Sequence, residues 1–196
     1  MNFAEVLVEG KILKRYKRFL SDIQLENETI ITAHTANTGA MTTCWAPGWQ
    51  VLLSLHDNPK RKYKYSLEMT HNGQTWIGVN TMLPNKLAVE GIENGVIAEL
   101  QGYDSIQRES KIGDSRLDLL LQKSSERKSP EKCYVEVKNV TLLGDNKTAL
   151  FPDAVSTRGQ KHLATLTEIA KGGDRAVMLY IVQREDVNCF SPATSH

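Results

Sequence analysis

The chain changes rhythm at Met82, and that break limits its architecture more than any other feature. Up to about residue 81 it reads as short β-rich runs: "AEVLVEGKIL", "RFLSDIQL", "TIITAHT", "WQVLLSL", "KYKYSLEMT" and "TWIGVNT". Turn signals fall between them, at Asn37-Thr38-Gly39, Pro47-Gly48, Asp57-Asn58-Pro59 and Asn72-Gly73. Five or six short strands without a helical pattern fit a small closed barrel, because closure removes exposed strand edges. An OB-like barrel over residues 1–82 suits that length, as do other small β-folds. After Met82, "LPNKLAVEGIENG" has Pro84 near a helix start, Leu83, Leu87 and Ile92 loosely on one face, and Gly95 at its stop. A strand "VIAEL", a turn at Gly113 and the strands "RLDLLL" and "CYVEVKNVTL" follow. Ser156 or Thr157 caps a second helix through Lys171, with Leu163, Leu166 and Ala170 at helical spacing. "AVMLYIV" reads as a central strand because its apolar run is nearly continuous. Helix, strands, helix, strand predicts an α/β domain over residues 83–196, hence an α+β chain of two domains.

Composition narrows the function classes only a little. The net charge of +1 predicts no global attraction to nucleic acid, so any such surface must be a local patch. Three cysteines, Cys44, Cys133 and Cys189, are widely spaced and odd in number, which suits buried reduced thiols in a cytoplasmic protein better than a disulfide framework. The first twenty residues lack the order of a signal peptide, and no stretch approaches the ~20 apolar residues of a membrane span.

The chemistry gathers on two strands. In "YVEVKNV" the side chains of Glu136 and Lys138 leave the same face, being two positions apart. An edge strand with one wet face explains them, and so does half of a metal site. Asp118, in the apolar "RLDLLL", lies about one strand earlier. Two neighbouring strands could bring Asp118 and Glu136 onto one hard divalent cation, Mg²⁺ or Mn²⁺, with Lys138 beside them to steady a phosphoryl transition state. Asp followed by Glu-x-Lys is the arrangement of the PD-(D/E)xK nucleases. A carboxylate in an interior strand costs several kcal/mol unless compensated, on the order of other buried ionic groups. Glu136 and Lys138 can neutralise one another, which leaves Asp118 without an explanation. Glu109 in "IQRES" is either a third metal carboxylate or a solvated residue of a charged loop. The literal Pro152-Asp153 dipeptide follows the Glu-x-Lys and reads as a turn, not a ligand pair. The helix beyond it carries Arg158, Lys161 and His162 in its first two turns, either a phosphate contact or a solvated basic face. His162 as a catalytic base is the remote option.

Six blocks carry a family resemblance: "AHTANTGAM" (33–41), "APG" (46–48), "NPKRKYKYSLE" (58–68), "GDSRLDLLL" (113–121), "CYVEVKNVTL" (133–142) and "FPDAVSTRGQKHL" (151–163). In order and across nearly the whole chain, they resemble the signature blocks of the sugar fermentation stimulation protein A family. The resemblance implies an N-terminal OB barrel followed by a PD-(D/E)xK, restriction-endonuclease-like domain. It also implies DNA binding without strong sequence preference, and a link to sugar (maltose) metabolism in bacteria. The family's acidic and lysine motif falls on Asp118, Glu136 and Lys138, with Glu109 as its upstream carboxylate and Leu117 in place of the eponymous proline. Such chains continue past "FSPATSH" with another helix and strand, so this one reads as truncated at its C-terminus.

With that resemblance the basic segments acquire a role. "KILKRYKR" (11–18) holds five cations in eight residues and "KRKYK" (60–64) four in five, with Tyr16, Tyr63 and Tyr65 interleaved. The expected DNA contacts are Lys14, Arg15, Lys17, Arg18, Lys60, Arg61, Lys62 and Lys64 on the barrel, with Arg116, Arg158 and Lys161 beyond it. Period two puts the tyrosines of 62–65 toward the core and the lysines outward. Trp45 and Trp49 are either base-stacking residues or plugs at a barrel end. Two functions follow: a Mg²⁺-dependent nuclease, or a non-catalytic, sequence-nonspecific DNA-binding regulator that uses the nuclease fold as a scaffold.

Overall fold

The computed structural model describes residues 3, 5–124, 130–152 and 156–193. In chain order the strands of the first part are β1 (Val8–Tyr16), β2 (Leu20–Leu25), β3 (Ile30–Thr35), β4 (Gln50–Leu55), β5 (Tyr65–His71) and β6 (Trp76–Gly78). Helix α1 (Pro84–Glu93) follows, then β7 (Ser105–Ile112), β8 (Ser115–Lys123) and β9 (Glu131–Val140). The last elements are β10 (Leu142–Leu143), β11 (Thr148–Phe151), helix α2 (Thr157–Lys171), β12 (Arg175–Val182) and β13 (Cys189–Pro192). No helix among the described residues is long and apolar enough to cross a membrane.

Two compact units result. One comprises Met1–Met82, Val140–Asp153 and Val182–His196; the other comprises Leu83–Asn139 and Ala154–Ile181. The break after Met82 is thus a structural one. Two later segments, which the rhythm of the sequence assigns to the second domain, group with the first.

In the first unit β1 pairs with β2 and β4, β2 with β3, β4 with β5, and a parallel β3–β5 pairing shuts the ring. Five strands in the order β1-β2-β3-β5-β4 form the closed OB barrel that strand counting leaves among several options. Alternation supplies its core: Ile12, Ile23, Ala33, Val51, Leu53 and Leu67 are fully buried, and Trp45, Trp49 and Tyr65 pack against them. The two tryptophans are thus partly buried against the barrel core. Beside it lies a small sheet in the order β10-β11-β13. Arg184, fully buried at its side chain, pairs with Asp186 at 2.6 Å and donates to the Thr141 carbonyl at 2.7 Å and the Thr43 carbonyl at 3.3 Å.

The second unit is a four-stranded sheet, order β12-β9-β8-β7, with two helices. On one face Ala88, Val89 and Ile92 of α1 meet Leu119, Leu121, Val135 and Val137; on the other Leu166 of α2 meets Leu117, Leu120 and Tyr134. β12 stands at the edge of this sheet, not its centre. Its run is apolar because both faces are covered, Val177, Leu179 and Ile181 on the α1 side and Ala176 and Met178 on the α2 side. Burial on two faces does not require two neighbouring strands. The expected strand at "VIAEL" is instead a 3₁₀ turn over Ala98–Leu100. On α2, Ser156 caps the helix by accepting from the Gly159 amide at 3.0 Å, and the buried residues are His162 and Leu166. Leu163 is 57% exposed, so the inward face is rotated by one residue from the one the apolar spacing marks.

Candidate functional site

Strands β8 and β9 form a regular antiparallel ladder from Lys123↔Glu131 up to Leu119↔Val135, and there it stops. The next amide of β9 that could serve the ladder, Val137 N–H, donates to Asp118 Oδ2 at 2.8 Å. The strands part where their acidic residues sit. Asp118 Oδ1 accepts from Asn85 Nδ2 of α1 at 2.8 Å, so two donors orient this carboxylate. Burial pushes the Asp118 carboxyl above its ordinary pKa, and the nearby Glu136 adds to the rise; the Val137 and Asn85 hydrogen bonds and Lys138 oppose it.

Glu136 is almost fully buried, with 3% of its surface exposed. Lys138 Nζ lies 2.5 Å from its Oε1, and His162 Nδ1 of α2 is hydrogen-bonded to the same oxygen. Oε2 is buried and, among the described residues, has no hydrogen-bond partner. An orphaned carboxylate oxygen in a low-dielectric interior is costly unless a ligand completes it. Two carboxylates, one with a bare oxygen, match the oxygen chemistry by which hard divalent cations are held. The residues fit such an ion, although among the described residues no three His, Cys, Asp or Glu side chains gather as a complete protein cage.

The other residues singled out in the sequence fall in several places. Glu109 stands opposite Asp118 by the β7–β8 register, but its backbone is left-handed (φ 55°) and its carboxylate pairs with Arg116 at 3.1 Å on the surface. It does not join Asp118 and Glu136. Asp153 lies outside the described residues. Lys161 Nζ donates to the Asp114 carbonyl at 3.0 Å, and Arg158 is exposed. On the barrel, Lys14 pairs with Asp22 at 3.2 Å, and Lys17, Arg18, Lys60, Lys62 and Lys64 are exposed. Arg61 is half-buried and donates to Ser66 Oγ at 3.0 Å. Arg15 is committed elsewhere: its guanidinium serves the carbonyls of Asn37 and Gly39 at 2.8 Å each, and that of Arg18.

The two halves of the chain match two family models, "SfsA N-terminal OB domain" over residues 13–79 and "Sugar fermentation stimulation protein RE domain" over residues 82–196. The chain belongs to the sugar fermentation stimulation protein family. A sugar fermentation stimulation protein homolog of Geobacter sulfurreducens is 50% identical over 188 residues, covering 95% of this chain and 78% of its own length. One from Geobacter sp. strain M21 is 52% identical over 194 residues, covering 98% and 81%. Among solved structures, Pyrococcus furiosus SfsA in complex with Ca²⁺ superposes with a TM-score of 0.83 at 30% identity, over 98% of this chain and 79% of that one. In this chain, sequence spacing points to Asp118, Glu136 and Lys138. It holds no sign of Asn85, a polar residue in a first helical turn. For His162 the sign is faint, since it precedes Leu166 by four residues on α2.

Proposed function

We propose that the second unit is a divalent-cation-dependent phosphodiesterase acting on nucleic acid, and that the barrel holds the strand being cut. The observation that carries this reading is the buried, unpartnered Oε2 of Glu136 on the strand adjoining Asp118. Asp118 and Glu136 would hold Mg²⁺ or Mn²⁺; the complex of Pyrococcus furiosus SfsA with Ca²⁺ supports a divalent ion of some kind. When bound, such an ion supplies acidity to water and positive charge to a phosphoryl oxygen. The chain's own residues do the rest. Val137 N–H and Asn85 aim Asp118, His162 and Lys138 fix Glu136 by one oxygen, and the Lys138 ammonium is close enough to that carboxylate to meet a phosphate bound beside it. Glu109 would enter the site only after its pair with Arg116 opens. Exposed lysines on the barrel give it phosphate contacts that carry no sequence information, in keeping with nonspecific DNA binding. Action on nucleic acid, together with the absence of a spanning helix among the described residues, suits a cytoplasmic protein whose family name ties it to sugar fermentation.

A second reading has its own observation. Among the described residues no cluster of three or more His, Cys, Asp or Glu side chains gathers, and Lys138 already neutralises Glu136, as it would in a scaffold that binds DNA without cutting it. Incubating supercoiled plasmid with the chain and Mg²⁺ or Mn²⁺ separates the two. The phosphodiesterase reading expects nicking that is lost in Asp118→Asn and in EDTA. Plasmid retarded on a gel but never nicked would leave the binding protein.

A further inference from the structure

We propose that Phe19, at the turn between β1 and β2, is a stacking platform for an unpaired nucleobase, so that the barrel prefers single-stranded to duplex nucleic acid. The proposal rests on the nucleic-acid reading above and gives it a strand preference.

The turn is built in an unusual way. Lys17 (φ 49°) and Arg18 (φ 65°) both occupy the left-handed region, which bulky side chains enter at a cost in free energy. The surroundings hold them there. The Arg15 guanidinium ties the Arg18 carbonyl to those of Asn37 and Gly39, and the Phe19 carbonyl accepts from the Thr35 amide at 2.8 Å. A turn tethered to two other segments keeps Phe19 40% exposed on a fixed backbone. One exposed apolar ring is ordinary in a soluble protein; its company here is not. The ring lies against His34 of β3, centroids 6.3 Å apart and tilted by 43°. Register aligns Tyr16 with Leu20 and Leu20 with His34, so the outer ends of three strands meet beside this turn. Lys14 sits 5.4 Å from the Tyr16 ring centroid. Asp22 pairs with Lys14 and accepts from the Tyr16 hydroxyl, which leaves Lys17 and Arg18 as the cations next to Phe19 in the chain.

Rings set among cations are the composition by which single strands are held: the cations follow the phosphates and each base lays its π-face on a ring. In OB barrels the β2–β3 face and the β1–β2 and β4–β5 loops take oligonucleotides, and here the second of those loops carries Lys60 to Lys64. A duplex covers its base faces by stacking them on one another. An exposed ring therefore adds to single-strand binding and little to duplex binding.

The test uses the full chain, a fluorescein-labelled mixed-sequence oligonucleotide and the same oligonucleotide annealed to its complement, at low salt. Phe19→Ala and Phe19→Leu should weaken single-strand binding by about tenfold, the scale of one lost base–aromatic stack. Both should leave duplex binding as it was, and Phe19→Trp, which restores a flat ring, should restore the affinity. A 2-aminopurine base in the oligonucleotide should be quenched by the native chain and by Phe19→Trp, but not by Phe19→Leu. If Phe19→Leu binds both forms like the native chain while Lys60→Ala with Arg61→Ala weakens both, the platform is refuted and the nucleic-acid reading survives. If neither form binds the native chain at all, both fall together.

Discussion

Two donors hold one oxygen of Glu136, and nothing among the described residues holds the other. This asymmetry gives His162 a use that its position in the sequence only hints at, since a carboxylate held at Oε1 by two donors is restricted in how it can present its second oxygen. Groups that orient a metal ligand commonly contribute 10- to 100-fold in affinity. His162→Ala should therefore weaken Mn²⁺ binding by about tenfold or more, whereas His162→Gln, which keeps a donor, should recover much of it. Equal Mn²⁺ affinity in native chain and His162→Ala, by calorimetry, would reduce His162 to packing. Asp118 allows a test by pH. Its folded pKa is raised chiefly by burial, so the proton it takes up favours the folded state. That stabilisation is full below the ordinary aspartate range and is lost as pH rises through the raised folded value. Neutral pH lies above the ordinary aspartate range, so without metal that stabilisation is diminished there. Asp118→Asn should melt higher than the native chain at pH 7, with the gap closing as the pH falls toward 4, about the ordinary aspartate pKa. A variant that melts lower at pH 7 would contradict this account of the site.

At the scale of elements, much is legible in the sequence and the exceptions share a cause. The six N-terminal strands, α1 from Pro84 to its stop before Gly95, and α2 with its serine cap follow from local signals: alternation, turn residues and caps. Whatever depends on a partner does not follow. Apolar spacing misplaces the inward face of α2 by one residue because Leu163 is the more apolar side chain, yet His162 is the one turned to Glu136. β7, with its charged "IQRES", has no period-two pattern to mark it as a strand. Glu109 reads as a companion of Asp118, and register agrees; its left-handed backbone, invisible in the sequence, turns the carboxylate to Arg116 instead. The β4–β5 loop tests the phosphate contacts proposed for the barrel. Lys60→Ala with Arg61→Ala should weaken DNA binding, and the double variant's affinity should fall less steeply with salt than that of the native chain, because fewer counterions are released. Mn²⁺ affinity should not change. Parallel salt dependences in a binding titration from low to high NaCl would show that this loop does not touch phosphate.

For the whole molecule, the sequence divides cleanly at Met82 but does not show that residues 140–153 and 182–193 return to the first unit. Short strands such as Leu142–Leu143 have too few residues for a period, and a parallel partner like that of β11 and β13 leaves no turn between them to read. The returning segments are secured by a buried ion pair, Arg184 with Asp186, which also fastens Thr43 and Thr141. The Arg184 hydrogen bonds hold the Asp186 carboxyl below its ordinary pKa, so this stabilisation is present above the usual aspartate range and is lost as pH drops through the lowered value. Removing one partner of a buried pair strands the other charge, so Arg184→Ala should cost about 3 kcal/mol in urea unfolding at pH 7. A loss under about 1 kcal/mol, the worth of a surface pair, would place Arg184 outside the framework. All of the chemistry proposed for the molecule depends on the bare oxygen of Glu136 being completed by a cation. Calorimetric titration of Mn²⁺ into the native chain and into Glu136→Gln addresses that directly. The expected result is one cation per native chain and none in a Glu136→Gln variant that folds normally; a native chain that takes up no Mn²⁺, or a variant that binds it equally well, would contradict the account.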